Sequence, residues 1–190
     1  MSTTVSLLLV VGVVIILIIL VAVWAGLGYN RLVRLRAQVQ ASWAQIDVQL
    51  RRRQTLIPNL VETVKGYAAH ERGTLDSVVA ARANAINATG TAQRGQAEGD
   101  LTRALGRLFA VAEAYPDLKA SQNFLALQAE LGETENKIAY ARQFYNSAVQ
   151  SLNTAVRSIP TNIIAGMGSF HEEQYFEAAE AERADVRVRF

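Results

Sequence analysis

Between Val5 and Leu27 stand 23 residues whose only polar side chain is Ser6, and the first 30 residues of the chain carry no charge. As an α-helix rising about 1.5 Å per residue this run reaches roughly 35 Å, enough to cross a hydrocarbon core of about 30 Å. A helix is also the single-segment form that satisfies every backbone polar group where water is absent. A cleaved signal peptide is the rival reading, but it calls for a positive start, an apolar core of about 7 to 15 residues and a small-x-small cleavage site. This chain starts Met-Ser-Thr-Thr, its apolar run is longer, and Trp24 and Tyr29 stand where an interfacial aromatic belt would lie. Residues 1–28 are therefore expected to be an uncleaved transmembrane anchor. Arg31, Arg34 and Arg36 follow the run and no basic residue precedes it, which places the rest of the chain on the cytoplasmic side of the cell (inner) membrane.

The other 160 residues of the 190 hold all the Lys, Arg, Asp and Glu, 19 basic and 17 acidic, distributed unevenly. Residues 29–65 carry seven basic against two acidic side chains, 66–158 balance, and 159–190 are net −3. The absence of cysteine excludes a disulfide scaffold, a thiolate-ligated metal and a thiol nucleophile. The chain has 30 alanines, and residues 29–158, with long stretches free of Gly and Pro, read as helical. One seven-residue series runs Phe124, Leu131, Ile138, Tyr145, Leu152, Ile159, accompanied by Leu127, Thr134, Ala141, Ala148 and Ala155, a coiled-coil-like seam in which small residues allow close helix approach. A second runs Val39, Trp43, Ile46, Leu50, Ile57, Leu60, Val64, Tyr67 and on to Leu75, Val78 and Ile86.

Pro58 interrupts the second series and either kinks one helix or opens another. The Gly- and Thr-containing stretch Asn87 to Gly99 and the turn Tyr115-Pro116-Asp117 are read as breaks. Helices are thus expected over about 29–56, 58–88, 98–115 and 118–158, with connections short enough for antiparallel neighbours; one long hairpin is the alternative. The fold class is all-α: a transmembrane helix, a bundle over 29–158, and an apolar segment with a charged tail over 159–190.

Several blocks carry a resemblance. Tyr29-Asn30-Arg31-Leu32-Val33, Trp43-Ala44-Gln45-Ile46-Asp47-Val48-Gln49-Leu50 and Leu56-Ile57-Pro58-Asn59-Leu60-Val61-Glu62-Thr63-Val64-Lys65-Gly66-Tyr67 resemble the LemA family, as do Ala114 to Lys119, Glu133 to Asn146 and Ile159 to Gly166. The resemblance covers nearly the whole chain. It implies a single-pass bacterial membrane protein whose soluble part is an antiparallel four-helix bundle with long helices. It implies no reaction and no cofactor, and a related member of the magnetosome membrane points to membrane organisation.

The residues supply no catalytic constellation of their own. His70 and Glu71 lack the second histidine of a zinc-protease helix, since position 74 is Thr. Glu130, Glu133 and Glu135 lack Glu-x-x-His partners and read as a solvated acidic face. Gly90, Gly95 and Gly99 are spaced as a linker rather than as a phosphate cradle. Interaction residues are more evident. Arg51, Arg52 and Arg53 fan around a helix and offer a cationic patch for anionic membrane lipid or for an acidic partner, with Glu172, Glu173, Glu177, Glu180 and Glu182 as a partner within the chain. Nucleic acid is not expected, because the basic stretch lacks interleaved exposed aromatics. Ile159 to Phe170 is uncharged and too short to span a bilayer; Ile163, Ile164, Met167 and Phe170 either cap the bundle or dock on a neighbouring subunit or the membrane interface. Val186, Val188 and Phe190 alternate as in a strand added between chains. Two roles follow: a non-enzymatic membrane scaffold, homo-oligomeric or gathering other membrane proteins, and a membrane-tethered adaptor or sensor.

Overall fold

A computed structural model of the chain describes residues 3–176. Six helices succeed one another: α1 (Thr3–Tyr67), α2 (Arg72–Asn87), α3 (Thr91–Ala112), α4 (Pro116–Lys119), α5 (Gln122–Arg157) and α6 (Thr161–Met167). No strand occurs among the described residues. The described chain divides into two compact units, residues 3–41 with 148–173 and residues 42–147 with 174–176, so α1 and α5 each contribute to both.

In the first unit, α1 begins with an apolar stretch that nothing covers. From Leu7 to Leu27 the large side chains are exposed, an arrangement that suits a helix surrounded by lipid. Among the described residues this is one helix long and apolar enough to cross a membrane. Beyond it α1 acquires an inner face: Leu32 and Val39 are buried, as are Ala148, Val149, Leu152 and Ala155 of α5. α6 adds Ile164 and Ala165, and Phe170 sets its ring edge-on to Tyr29 at 5.5 Å. The segment after α6 is held by a side chain that imitates a strand: Asn153 donates through Nδ2 to the Glu173 carbonyl and accepts the Glu173 N–H, both at 2.9 Å.

The second unit is built from the rest of α1 and α5 with α2, α3 and α4. Its core joins Ile57, Leu60 and Val64 of α1, Leu75 and Val78 of α2, Leu101, Leu105 and Leu108 of α3, Leu118 of α4, and Phe124 and Leu131 of α5. The same strand-like device recurs here, Asn146 bonding both the N–H and the carbonyl of Phe176 at 2.9 and 3.1 Å. Tyr115 is extended before Pro116, which takes the first turn of α4 as the turn motif predicts.

Three expectations need correction. Of the two alternatives left open at Pro58 a new helix is not the outcome: α1 runs through it to Tyr67, and the helix expected over 58–88 is instead broken at residues 68–71. A proline removes the hydrogen bond to the carbonyl four residues back, here that of Gln54, and the structure supplies another donor, Arg82 Nε on α2 at 2.7 Å. With that acceptor satisfied and the proline ring exposed, no reason to break remains. Nor is Asn87 to Gly99 a linker. Only residues 88–90 connect α2 to α3, with Gly90 at φ +77° where a side chain would be strained and Gln93 Oε1 accepting from the Thr89 N–H at 3.3 Å. Gly95 and Gly99 lie inside α3, where burial of Ala97, Glu98 and Leu101 outweighs their poor helix propensity of about 1 kcal/mol each. Finally, both series hold over most of their length and fail at particular positions, each at its last residue and the second also at Tyr67. Phe124, Leu131, Ile138, Tyr145 and Leu152 are buried, whereas Tyr67, Ile86 and Ile159 are exposed; Ala148 is buried and Ala141 half-buried.

The replacement donor is testable. R82M should destabilise the second unit by about 1 to 3 kcal/mol, the cost of orphaning a buried acceptor. In a P58A background, where the helix supplies its own N–H to Gln54, the same change should cost clearly less. Urea melting of the four proteins in mild detergent checks this, and equal losses in both backgrounds would contradict it.

Candidate functional site

Ile46, Leu50, Ile57, Leu60 and Val64 mark the inner face of α1 by alternating steps of four and three, and the position missing from that rhythm is Arg53. Its side chain is 2% exposed. On α3 the rhythm of Leu101, Leu105, Leu108 and Ala112 extends back to Glu98, also buried. A polar layer therefore sits at one level of two apolar seams, and its bonds are numerous. Arg53 Nη2 donates to the Glu98 carboxylate in a short ion pair, and Nη1 donates to Glu135 Oε1 at 2.6 Å and to Thr102 Oγ1 at 3.0 Å. Gln54 Nε2 reaches the other Glu98 oxygen at 2.9 Å. Burial opposes the charge on Arg53, but the fields of Glu135 and Glu98 and the hydrogen bonds to both carboxylates outweigh it and hold the guanidinium above its ordinary pKa.

Arg53 Nε alone has no acceptor. The layer forms part of the wall of a cavity of about 610 Å³, where Arg53, Glu98, Thr102, Glu135 and Asn136 meet an apolar wall that includes Phe109. A second cleft, of about 710 Å³, lies between α1 and α5 and is lined by Val48, Tyr140, Ala141 and Phe144 among polar neighbours. Val48, Tyr140 and Phe144 are 60, 74 and 52% exposed, an uncommon degree of exposure for large apolar side chains in one place. Near them Trp43 is ringed by Tyr145 at 5.3 Å and Phe176 at 5.5 Å, with the Arg94 guanidinium 5.8 Å above it.

The three consecutive arginines thus part company. Arg51 is exposed and pairs with Asp47 one turn back at 2.8 Å, Arg52 meets Glu130 at 2.9 Å on the surface, and Arg53 turns inward and is no part of a surface patch. Arg94 shares Asp47 with Arg51. The tail acid Glu172 pairs with Arg157 rather than with the triplet; that bond, and the Arg157 charge, hold its carboxyl below the usual range. Glu177, Glu180 and Glu182 lie outside the described residues, as do Val186, Val188 and Phe190. The acidic face is likewise divided: Glu130 takes Arg52, Glu133 takes Lys137, and Glu135 closes the buried layer. In the apolar segment Ile164 and Phe170 face inward while Ile163 and Met167 are 59 and 85% exposed.

Chemically, the layer satisfies itself except at Arg53 Nε. The carboxylates accept from Arg53, Gln54 or both, and no nucleophile stands beside a base in it. Its energetic weight is large in one sense only: removing one member strands a buried charge, at about 3 to 5 kcal/mol, whereas replacing the layer with apolar residues is often neutral. R53A should therefore cost about 3 to 5 kcal/mol in urea melting, and R53M combined with E98L should recover most of that loss. A double variant as unstable as R53A would mean that the layer contributes more than charge compensation.

A model described as LemA family matches residues 42–190. The magnetosome protein MamQ 2 of Paramagnetospirillum magneticum is 26% identical over 175 residues, covering 78% of this chain and 64% of its own length. MamQ of Magnetospirillum gryphiswaldense is 26% identical over 174 residues with the same coverage. Protein LemA of Metamycoplasma hominis is 27% identical over 158 residues, 83% of this chain and 72% of its own. The chain spans about 64% of the length of the magnetosome relatives it matches.

Proposed function

The chain belongs to the LemA family, and on that premise we propose that it is a membrane-anchored helical scaffold, which self-associates or gathers partner proteins at the membrane and catalyses no reaction. The observation that carries the proposal is the form of α1: one uninterrupted helix, Thr3–Tyr67, begins with an uncovered apolar run and ends inside the core of the second unit. Nothing in such a helix lets the domain leave the membrane while its first part stays. We read the domain as an antiparallel four-helix bundle, supported by the apolar cluster shared by α1, α2, α3 and α5. Arg31, Arg34 and Arg36 directly after the run support an inner-membrane protein with that domain on the cytoplasmic side.

Self-association is supported by the cleft at Val48, Tyr140 and Phe144. Exposed aromatic side chains beside a half-buried alanine offer another copy of the chain an apolar hold with room for close approach. A second reading, an adaptor or sensor, rests on the 610 Å³ cavity and on the unpartnered Nε in its wall, which a ligand acceptor would satisfy.

Gentle detergent extraction followed by native mass measurement tests the scaffold. The expected result is an assembly of several 20.8 kDa chains that disperses in a Y140D/F144D variant of unchanged helical content. A strictly monomeric wild-type protein would overturn self-association. A melting shift with a small molecule, abolished in R53M, would favour the sensor.

A further inference from the structure

The span of the scaffold reading ends beside α6. Ile164 is buried against α1 so closely that a Cβ on Gly28 would lie 2.5 Å from its Cδ1, and Phe170 meets the ring of Tyr29. Gly28 is the first residue past the uncharged apolar run, and Arg31, the first charge, comes three residues later. At about 1.5 Å of rise per residue, α6 is held within roughly 5 Å of the end of the span, while a headgroup region is about 5 to 8 Å deep on each side of the hydrocarbon core. With one face of α6 engaged by α1, the other carries Ile163 and Met167, one turn apart and 59 and 85% exposed, and Ile159 just before the helix is 84% exposed. From Ser158 to Phe170 there is no charge.

We propose that α6 is an interfacial collar: it lies in the headgroup region beside the end of the span and places Ile159, Ile163 and Met167 in lipid. The proposal rests on the reading of α1 as a span. Three large apolar side chains in nine residues are costly in water and in place at a bilayer surface, where Thr161 and Asn162 of the same segment remain hydrated. Exposed Trp24 and Tyr29 on α1 mark the same zone with the amphipathic rings typical of it. Lipid is favoured over a second copy by continuity, since Leu27, 66% exposed, already needs acyl chains at that height. Seven helical residues would bind a membrane weakly alone. Held by the anchor, they need no affinity of their own, because tethering replaces the cost of bringing them there.

The collar also has a consequence for the anchor. A single helix can tilt and rotate freely in a bilayer, whereas a second apolar contact beside its end fixes which side of α1 faces the membrane plane.

The chain has no cysteine, so a single introduced one gives a unique spin label. Full-length I163C, M167C, V14C and Q150C proteins, labelled and reconstituted in vesicles of phosphatidylethanolamine and phosphatidylglycerol, are compared by their accessibility to oxygen, which concentrates in lipid, and to a water-soluble nickel chelate. Gln150 is an exposed position on α5 of the same unit and serves as the aqueous reference. The collar predicts an oxygen-to-nickel ratio several-fold higher at positions 163 and 167 than at 150, below that at 14, with unchanged circular dichroism. Ratios at 163 and 167 equal to that at 150, with 14 still in lipid, would overturn the collar alone. An aqueous value at 14 would overturn the span and the collar together. Labels at 163 and 167 shielded from both reagents and broadened by a neighbouring spin would place a second copy there instead and overturn the lipid assignment.

Discussion

The continuity of α1 is the constraint on which the rest depends. Its first part has side chains that water rejects and its last part supplies the inner wall of a domain, so one run of backbone hydrogen bonds ties a membrane requirement to a packing requirement. The weak point of that run is Pro58, and the donor that mends it comes from a different helix. Arg82 on α2 reaches the carbonyl of Gln54, so the local integrity of α1 depends on tertiary structure formed later in the chain. Helices in proteins draw most of their stability from packing rather than propensity, and here that holds down to a single hydrogen bond.

A similar dependence governs the buried layer. Arg53, Glu98 and Glu135 come from three helices, and the buried pair Arg53 and Glu98 is acceptable inside the second unit only because each meets an opposite charge, with half-buried Glu135 adding a second carboxylate to Arg53. Such a layer adds little net stability compared with an apolar one, but a helix shifted along its neighbour by one turn would leave a buried charge unpaired. Register is the property it secures, and a domain made of long, alanine-rich helices with similar seams has particular use for it.

Much of this was legible in the residues. The candidate membrane span followed from an uncharged run long enough to cross a bilayer, the all-helical class from composition and periodicity, and the turn at Tyr115-Pro116 from steric restriction before proline. The α5 seam was readable because its large residues recur every seven positions without exception from Phe124 to Leu152. What was open or missed shares a cause. Pro58 and the glycines of α3 are local signals against helix, and each was overruled by tertiary structure: the Arg82 donor for the first, burial of Ala97, Glu98 and Leu101 for the second. Arg53 itself left a trace, the gap at its place in the series from Ile46 to Val64, but a gap in an apolar rhythm does not name the carboxylates that fill it. Ile159 was expected on the seam because it keeps the spacing, yet α5 ends at Arg157 and the period ends with it.

Membership in the LemA family fits a chain whose polar interior is structural and whose exposed features are apolar: a span, a short helix beside its end and an aromatic cleft. On the scaffold reading proposed above, these are the surfaces that would meet lipid and protein. The most direct test of the central claim, that α1 fixes this domain to the inner membrane on its cytoplasmic face, is cysteine accessibility at the exposed Thr89 between α2 and α3. The T89C protein should remain in alkaline-washed membranes and should react with a membrane-impermeant maleimide only after the cells are permeabilised. Labelling in intact cells, or recovery of the protein in the soluble fraction, would contradict the account.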